Sequence, residues 1–466
     1  MLQLIIIGVY FLGMIVVGVV SRKQTRGADD FLVAGRKGSP LFITGSLLAT
    51  IVGGSATVGM AGLGFTQGLT GAWWLLVGSI GLVILGLFFA KRVRKLALYT
   101  LPEVVGKQYD GRVALATSLL IVVAWVGITA GQIIAAGKIF SVLGLGNPLL
   151  WMVLFTVVFV AYTILGGQHA IIRTDALQTA IIFVGIFSGL ALLLSHLGGW
   201  SGLKSSLSPE QFAFPISPQF GGMELVTLLL LVGLTYVVGP DMYSRLFCAK
   251  DGKAAKVSVF WTALFIIPLA FGITLIGMGA SVLFPQISPE QAFPTVIKEI
   301  LPPFMGGVVL AALLCAVMSS ADTVLLSAST ILMVDIVGWF KPSLSQRKIV
   351  SLSRWGVVLL GICSLILALI LKGVISALLF AYTIYTCGVI LPVIAGFYKN
   401  RLRVTSLGAM AALIGGGSMG LISKLFDIEY LGLSGGLLAL LISGLLLFVV
   451  SFIDNKRRKG KGLTNL

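Results

Sequence analysis

Charged residues are scarce in this chain, and acidic residues are scarcer than basic ones. Only 16 of its 466 residues are Asp or Glu, two are His, and charged residues of both signs make up 11% of the total. Hydrophobic residues make up 58%, and the mean hydropathy is +1.06. A soluble domain needs more surface charge than this composition supplies. The composition therefore excludes a soluble globular protein and indicates a polytopic membrane protein.

Signatures of several other protein classes are also missing. The four cysteines form no CxxC pair, so neither a disulfide framework nor a zinc site is indicated. His169 and His196 do not form an HExxH motif, and no GxxxxGKS phosphate loop occurs. The longest predicted loops, near 196–222 and 286–303, leave no room for a fused sensor domain. We therefore expect neither an enzyme nor an ATP-driven pump.

The sequence has instead a series of apolar segments that are long enough to cross a bilayer. About 30 Å of hydrocarbon takes roughly 20 residues as a helix. The apolar windows lack the strand period of two, which excludes an outer-membrane barrel and predicts an all-α membrane protein. We predict thirteen transmembrane helices, at 2–21, 41–66, 72–91, 113–143, 149–166, 170–195, 223–247, 255–285, 304–338, 349–371, 375–398, 404–423 and 431–453.

Lysine and arginine are distributed unevenly around these spans. If the N-terminus lies outside, 26 of the 33 basic residues fall on the cytoplasmic side, as the positive-inside rule requires. The net charge of +17 is then explained by membrane orientation and needs no nucleic-acid partner. The cytoplasmic groups are Arg22 to Lys37, Lys91 to Arg112, Arg173, Lys250 to Lys256, Lys341 to Lys348, Lys399 to Arg403 and Lys456 to Lys461.

The N-terminal segment does not read as a cleaved signal peptide. Residues 2–21 lack a basic n-region and a small-residue cleavage site, and positive charge follows the apolar run. We expect a retained first helix and a multi-pass protein of the cell membrane, with its N-terminus outside and its C-terminus in the cytoplasm. The lipid bilayer is the expected surrounding, and nothing in the sequence indicates an obligate protein partner.

Two of the predicted spans carry helix-breaking residues at mid-membrane. The segment IVGGSATVG places Gly53 and Gly54 in the second span, and GPDMYSR places Gly239 and Pro240 in the seventh. Such breaks free backbone groups, which is tolerated at membrane depth where they line a cavity or bind something. Either break alone could also be a plain kink.

The spacing of the two breaks suggests an internal repeat. If spans 2–6 form one five-helix unit, spans 7–11 form another, and the two breaks occupy the first helix of each. Because five is odd, the halves would be inverted, which is an arrangement typical of transporters with a midplane site. We predict repeats at 41–195 and 223–398, one extra helix before them and two peripheral helices at 404–453, all within a single domain at 1–466.

Three aspartates lie inside predicted spans, where an ionisable group is by default a functional hypothesis. They are Asp175, Asp241 and Asp322. Asp175 could instead be hydrated or paired with Arg173, and Asp241 could instead cap the second half of the broken helix. No Lys or Arg lies in the helix of Asp322, so a partner for it must come from elsewhere.

The ninth span carries an unusual run of small and hydroxylated residues, CAVMSSADTVLLSAST. At 100° per residue, one stripe of this helix contains the following small or oxygen-bearing residues: Ala316, Ser319, Ser320, Thr323, Ser327 and Thr330. Close helix packing explains the stretch from Ser327 to Thr330. Hydroxyls that face the freed carbonyls of a broken helix could instead hold a hard monovalent cation.

The chain resembles the sodium:solute symporter family, whose transporters carry sugars, proline, sialic acid, pantothenate or choline. The resemblance covers nearly the whole chain. It rests on four motifs: FLVAGR at 31–36, Gly166 and Gly167 followed by TD-x2-Q, GPDMYSRLFCAKD in the seventh span, and AVMSSADT in the ninth. It implies the leucine-transporter fold with a 5+5 inverted repeat, and sodium as the coupling ion.

The resemblance also implies ion sites. Matched by motif, the carbonyls of Ala49, Val52 and Ala316 and the hydroxyls of Ser319 and Ser320 are expected to bind one sodium ion. Some family members bind a second sodium at positions that match Asp175, Ser319, Asp322 and Thr323. Those members carry serine at the position of Asp322, so the departure leaves the sodium stoichiometry open.

The substrate pocket is expected beside the two breaks. By resemblance it is lined by Gly53, Gly54, Ser55, Thr57, Gly239, Pro240, Asp241 and Tyr243. An ionised Asp241 favours a solute with an amine, such as a proline-like amino acid, over a neutral sugar. Ile51, Ile134 and Gly239 stand where a quaternary-ammonium cage would have tryptophan, which argues against choline.

These residues predict a sodium-driven symporter that imports a small organic solute by alternating access. Other solutes, such as pantothenate, another carboxylate or a sugar, are alternatives. Proton coupling through Asp175 or Asp322 is another, with the hydroxyl stripe then merely structural. Outside transport, the alternative is a channel or sensor on the same scaffold.

Overall fold

The computed structural model of the protein describes residues 2–22, 27–142, 144, 147–371, 373–426, 428–430 and 433–460. Lys23, Arg26 and Lys461 of the basic groups discussed above lie outside these residues, as do the ends of two predicted spans at 143 and 431–432. The described chain is almost entirely helical. Its two strands, β1 (Glu429–Tyr430) and β2 (Leu433–Ser434), have two residues each and pair antiparallel.

The α-helices follow in chain order. The first twelve are α1 (Leu2–Arg22), α2 (Ala28–Val33), α3 (Pro40–Ile51), α4 (Met60–Gln67), α5 (Trp73–Ile84), α6 (Ala90–Lys95), α7 (Leu101–Gln108), α8 (Gly111–Val142), α9 (Pro148–His196), α10 (Gly199–Ser206), α11 (Gly222–Leu228) and α12 (Leu234–Val237). The others are α13 (Pro240–Cys248), α14 (Gly252–Leu283), α15 (Ala292–Glu299), α16 (Pro303–Ile331), α17 (Gly338–Phe340), α18 (Gln346–Ile370), α19 (Val374–Tyr385), α20 (Leu391–Gly396), α21 (Lys399–Leu402), α22 (Ser406–Leu425) and α23 (Gly435–Gly460).

Ten helices in the described part of the chain are long and apolar enough to cross a membrane, against thirteen predicted spans. The difference arises where predicted spans join or are short. Helix α9 has 49 residues and covers two predicted spans, with Gly167 at φ 55° marking the bend between them. A continuous helical segment, Ser55–Lys95, covers the end of one predicted span and all of the next. Pro40–Ile51, before the break, is only 12 residues long.

Helix α16 is at the centre of the bundle. In the segment Pro303–Phe340, 83% of the most apolar 18-residue window is buried, against 33–67% for the other nine candidate spans. It packs against α1, α3, α8, α9 and α18. The outer helices instead expose large apolar side chains, as at Leu12 of α1 and Trp355 of α18. The hydroxyl stripe of α16 therefore faces protein on every side and not lipid.

Both predicted helix breaks are present. Helix α3 ends at Ile51, and Val52 has the non-helical angles φ −83° and ψ 64° before a wide π-helical turn, Ser55–Gly59, leads into α4. Helix α12 ends at Val237, and Gly239 is extended at φ −78° and ψ 132° before Pro240 begins α13. Proline suits that position because the first helical residue needs no backbone donor.

Candidate functional site

The hydroxyls of two adjacent serines on α16 face the broken end of α3. Ser319 Oγ donates to the carbonyl of Ala49 at 2.8 Å, and Ser320 Oγ donates to the carbonyl of Thr50 at 2.6 Å. Ser320 Oγ also lies 3.4 Å from the Ala49 carbonyl, and Ser319 Oγ lies 3.1 Å from the carbonyl of Ala316 in its own helix. Four of the five predicted sodium ligands thus lie together.

The break creates this cluster of oxygens. The last carbonyls of a helix have no partner within it, so Ala49 and Thr50 can accept from another helix. Close approach of α16 depends on a glycine, because a Cβ on Gly53 would lie 2.3 Å from Ser320 Oγ. Val52, the fifth predicted ligand, is buried at the break, and the described contacts join Ser320 to the carbonyl of Thr50 instead.

Gln132 of α8 holds the other side of the break. Its side-chain oxygen accepts from the backbone amide of Gly54 at 2.7 Å, and the residue is buried. This bond satisfies an amide that the break leaves free. Sequence reasoning missed Gln132, although a lone amide side chain within an apolar span was a signal.

A buried network of charges lies beside the serines. The guanidinium of Arg245 is 3.3 Å from Asp175 Oδ2, and both side chains are fully buried. Arg245 also donates to Thr323, to Ser46 at 2.9 Å and to Ser244 at 3.3 Å, while Ser46 donates to Asp175. Asp175 is thus paired with Arg245 of α13, whereas Arg173 is exposed.

The predicted second-cation residues are brought together by this network. Thr323 Oγ1 lies 3.3 Å from Asp322 Oδ1 and also receives a bond from Arg245. Asp322 Oδ2 and Asp175 Oδ1 are buried and have no hydrogen-bond partner in the described part of the chain. If both carboxyl groups are ionised, they and the one guanidinium carry one excess negative charge. Sequence reasoning did not include Arg245, although the GPDMYSR motif contains it.

The breaks border a central cavity. Its lining includes Gly53, Ser55 and Asp241 of the predicted pocket, together with Gln132 and Ser320. The cavity thus touches the serine cluster directly. The sequence did not indicate further lining residues on α8, α12 and α19, namely Trp125, Ile128, Thr235, Tyr236, Leu378 and Tyr382.

The other predicted pocket residues lie outside this cavity. Thr57 is fully buried and donates to the carbonyl of Gly53 at 2.9 Å, so it supports the break. Tyr243 is fully buried, its hydroxyl has no hydrogen-bond partner among the described residues, and its ring packs edge-on against Phe247. Pro240 lines a second cavity, and Gly54 and Gly239 form the breaks themselves.

The second cavity, of about 290 Å³, lies on the other side of α13 along the hydroxyl stripe. Ser244, Ser327, Thr330 and Gln168 contribute its polar lining. Ser329 does not belong to it, because its hydroxyl donates to the carbonyl of Ser353 on α18 at 2.5 Å. The predicted packing stretch is therefore divided between packing and a polar cavity.

Arginine side chains close the predicted cytoplasmic end of this region. Arg36 donates to the carbonyls of Ala97 and Leu98 at 3.0 and 3.1 Å, and Arg94 donates to the carbonyl of Ala249. Gly38 pairs with the end of α13 through two backbone bonds of 2.8 and 2.9 Å. These contacts hold α13 against the segment that precedes α3.

A tyrosine completes the closure. Tyr99 donates to Asp29 at 2.6 Å, and the Arg36 guanidinium lies over its ring. Burial and the hydrogen bond to Asp29 raise the pKa of Tyr99 to about 12, so the phenol stays protonated near neutral pH. At the opposite end, Glu290 pairs with Lys138 at 3.3 Å and accepts from the Val374 amide at 2.7 Å.

A helical membrane bundle with two broken helices that meet at a central cavity defines a secondary transporter. The chain belongs to the sodium:solute symporter family, whose model matches residues 31–416. The sodium/glucose cotransporter of Vibrio parahaemolyticus is 25% identical over 455 residues, covering 89% of this chain and 83% of the relative. The osmoregulated proline transporter OpuE of Bacillus subtilis is 26% identical over 442 residues, covering 90% and 88%.

Solved structures show the same fold. A Na⁺-coupled sialic acid symporter in a substrate-bound, outward-open state superposes with a TM-score of 0.81 at 17% identity, over 97% of this chain and 98% of that one. MhsT in complex with L-phenylalanine superposes with a TM-score of 0.56 at 15% identity, over 90% and 98%. The family consists of transporters and not enzymes, and sodium is its coupling ion.

Proposed function

We propose that this protein is a sodium-coupled symporter that imports a small amine-bearing solute, of the proline-like amino-acid type, by alternating access. The observation that carries the proposal is the contact of Ser319 and Ser320 with the freed carbonyls of Ala49 and Thr50. It joins the broken helix to α16 at the edge of the central cavity. An ion bound there would contact both the broken helix and α16. Its binding would therefore depend on the position of one half of the bundle relative to the other.

The proposed sodium ligands are the carbonyls of Ala49, Val52 and Ala316 and the hydroxyls of Ser319 and Ser320. A hard cation prefers oxygen ligands of this kind, and neutral ligands suit a monovalent ion. On binding, each hydroxyl would turn its lone pairs to the ion instead of its proton to a carbonyl. Sodium would then tie α3 to α16 and favour the state that accepts the solute from outside.

Asp175, Asp322 and Thr323 are the candidate second cation site. If both carboxyl groups are ionised, the excess negative charge of the Asp175–Arg245–Asp322 group favours a further cation there, because an unbalanced buried charge is costly. Arg245 already donates to Asp175 and Thr323. The proposed ligands are therefore Asp175 Oδ1 and Asp322 Oδ2, which have no hydrogen-bond partner in the described part of the chain. Proton coupling through Asp175 or Asp322 is the alternative use of the same charge.

The solute is proposed to bind in the central cavity. Gly53, Ser55 and Asp241 would contact it, while Gly54, Thr57, Gly239, Pro240 and Tyr243 shape the two breaks around it. Asp241 provides the negative partner for an amine. Because the relatives include a sodium/glucose cotransporter as well as a proline transporter, a sugar is the alternative solute.

The proposed topology has thirteen spans, with repeats at 41–195 and 223–398 and peripheral helices at 404–453. The corresponding positions of the two breaks support this arrangement. The basic groups place the N-terminus outside and the C-terminus in the cytoplasm, in the cell membrane.

Uptake into proteoliposomes tests the function. Purified protein would be assayed with labelled proline, alanine, pantothenate and glucose under an inward sodium gradient, with potassium or choline replacing sodium at fixed pH. We expect uptake of an amine-bearing solute only with sodium. Equal uptake without sodium but with an inward proton gradient would support proton coupling, and glucose uptake that amines do not inhibit would contradict the solute assignment. Uptake that follows only the solute gradient would indicate a channel.

A further inference from the structure

Three aromatic side chains from three different helices line the central cavity together with a carboxyl group. Trp125 of α8, Tyr236 of α12 and Tyr382 of α19 line the cavity together with Asp241 of α13. The cavity therefore combines one acidic group with several aromatic rings.

These rings belong to other positions than those at which an ammonium site was expected to have tryptophan. A site for an alkylated ammonium group was expected to have tryptophan at three positions that are occupied here by Ile51, Ile134 and Gly239. The tertiary structure supplies aromatic residues from other positions in the chain. Ile51, Ile134 and Gly239 therefore do not exclude a solute with an alkylated ammonium group.

The surrounding structure fixes two of the rings. Trp125 packs edge-on against Tyr385 at 4.8 Å, and Tyr385 donates to the carbonyl of Val238 at the second break. The ring of Tyr236 lies against a glycine, since a Cβ on Gly78 would be 2.8 Å from it. Such packing preorganises the rings before a ligand enters.

The polar groups of the cavity are also informative. Trp125 Nε1 is buried and has no hydrogen-bond partner in the described part of the chain. Asp241 lies in the first turn of α13. None of the described side chains that line the cavity is basic. A ligand therefore meets a carboxyl group, aromatic rings, neutral polar groups such as Gln132 and Ser55, and a Trp125 N–H that has no partner in the described residues.

We propose that the transported solute carries an N-alkylated ammonium group, which sits among Trp125, Tyr236 and Tyr382 opposite Asp241. An oxygen close to the nitrogen, from a carboxylate or a hydroxyl, accepts the hydrogen bond of Trp125 Nε1. This inference rests on the proposed function and narrows its solute to secondary, tertiary or quaternary amines.

The chemistry of the cavity distinguishes these amines from primary ones. A primary ammonium has three N–H donors to satisfy, whereas alkylation removes donors and adds apolar surface. Aromatic faces attract such a cation and cover its alkyl groups. A neutral sugar would leave Asp241 without a cationic partner.

A matched series of probes tests the proposal. Thermal unfolding of the full-length purified protein in sodium chloride would be measured with glycine, N-methylglycine, N,N-dimethylglycine, trimethylglycine, L-proline, choline, L-alanine and D-glucose. A ligand that binds the folded state raises its apparent stability. We expect stabilisation by at least one N-alkylated probe, and none by glycine, L-alanine or D-glucose.

Substitution of a ring locates the site. Tyr236→Leu should weaken binding of the stabilising probe roughly 3- to 30-fold, whereas Tyr236→Phe, which keeps the ring face, should stay within about threefold of wild type. Tyr382→Leu provides a second variant if Tyr236→Leu does not fold. Trp355→Leu, on the exposed surface of α18, is the matched control for removal of an aromatic ring.

The sodium response separates this inference from the proposed function. Sodium alone should stabilise wild type and all these variants equally, because no hydrogen bond in the described part of the chain joins the rings to Ser319 or Ser320. If sodium stabilises the protein but primary amines or glucose bind as well as the N-alkylated probes, the aromatic site is wrong and symport stands. Failure of every N-alkylated probe in the presence of sodium also overturns the inference. Absence of any sodium response counts against the proposed function itself.

Discussion

Arg245 and Asp175 form a fully buried ion pair, with 3.3 Å between the guanidinium and the carboxylate. The pair joins α13, which follows the second helix break, to α9, and Thr323 of α16 shares its hydrogen bonds. A charged link between three helices beside the proposed sodium site is therefore part of the core.

Removing one member of this pair should destabilise the protein strongly. We expect Arg245→Met or Asp175→Asn to cost about 3–5 kcal/mol, because each change leaves the partner without its opposite charge. The double variant should lose less than the sum of the single changes. A double-mutant cycle from thermal or denaturant unfolding measures this coupling, and additive losses would show that the pair is not coupled.

The hydroxyls of Ser319 and Ser320 should determine sodium affinity. We expect Ser319→Ala and Ser320→Ala each to raise the half-saturating sodium concentration roughly tenfold, since each removes an oxygen ligand. Solute affinity at saturating sodium should change less. Sodium titrations of uptake measure both values. Thr330→Ala is a control, because its hydroxyl bonds to Leu326 of its own helix. Unchanged sodium dependence in both serine variants would rule out the assignment.

Gly53 should not tolerate a side chain. A Cβ there would lie 2.3 Å from Ser320 Oγ and 2.8 Å from Gln132 Oε1. Gly53→Ala should therefore displace α16 from the break, at a cost of about 1–3 kcal/mol, and weaken sodium binding. Unfolding with and without sodium measures this. Gly13→Ala on α1, where nothing lies within 4 Å, is the matched control. Equal behaviour of the two variants would contradict close packing at the break.

Gln132 should stabilise the break through its bond to Gly54. Gln132→Leu leaves the buried Gly54 amide unpaired, so we expect a loss of about 1–3 kcal/mol in unfolding free energy. Thr129→Val is a control on the same helix, because the described hydrogen bond of the Thr129 hydroxyl is to the carbonyl of Trp125 in its own helix. A variant as stable as wild type would show that the Gly54 amide finds another partner.

The arginines at the predicted cytoplasmic face should keep this end closed. Cys248 is buried beside them, and its thiol lies 3.1 Å from the carbonyl of Ser244. We expect Arg94→Gln to speed alkylation of Cys248 in a background without the other three cysteines. A decrease of about 1.4 kcal/mol in the free energy of opening this end corresponds to a tenfold faster alkylation rate. An unchanged rate would mean that Arg94 does not restrain α13.

This closure should not depend on pH in the neutral range. The pKa of Tyr99 is raised to about 12, so its phenol stays protonated and bonded to Asp29 in the folded state. A raised pKa for this acid gives stability that is full below about pH 10 and declines as pH rises toward 12. Alkylation of Cys248 at constant thiolate concentration should therefore be equal at pH 7 and 8 in the folded protein, and unequal rates would point to another group.

Local sequence was sufficient for much of the fold. Runs of about 20 apolar residues require helices in a bilayer, and paired glycines or proline within such a run require a break. The breaks at Gly53 and Gly239 and the serines of α16 were therefore predictable from the chain itself. The number of separate spans was harder, because Gly167 bends α9 without ending it.

The sequence by itself determined a polytopic helical transporter, because hydrophobicity, helix breakers and hydroxyl spacing are local properties of the chain. The tertiary structure alone decided that Arg245 reaches Asp175, that Gln132 holds the Gly54 amide, and that Trp125, Tyr236 and Tyr382 meet around Asp241. Tyr236 and Asp241 lie close together in the chain, but the other contacts join residues on different helices that are far apart in the sequence. Only packing of helices brings such residues together, and no periodicity within one helix records which neighbour it will face.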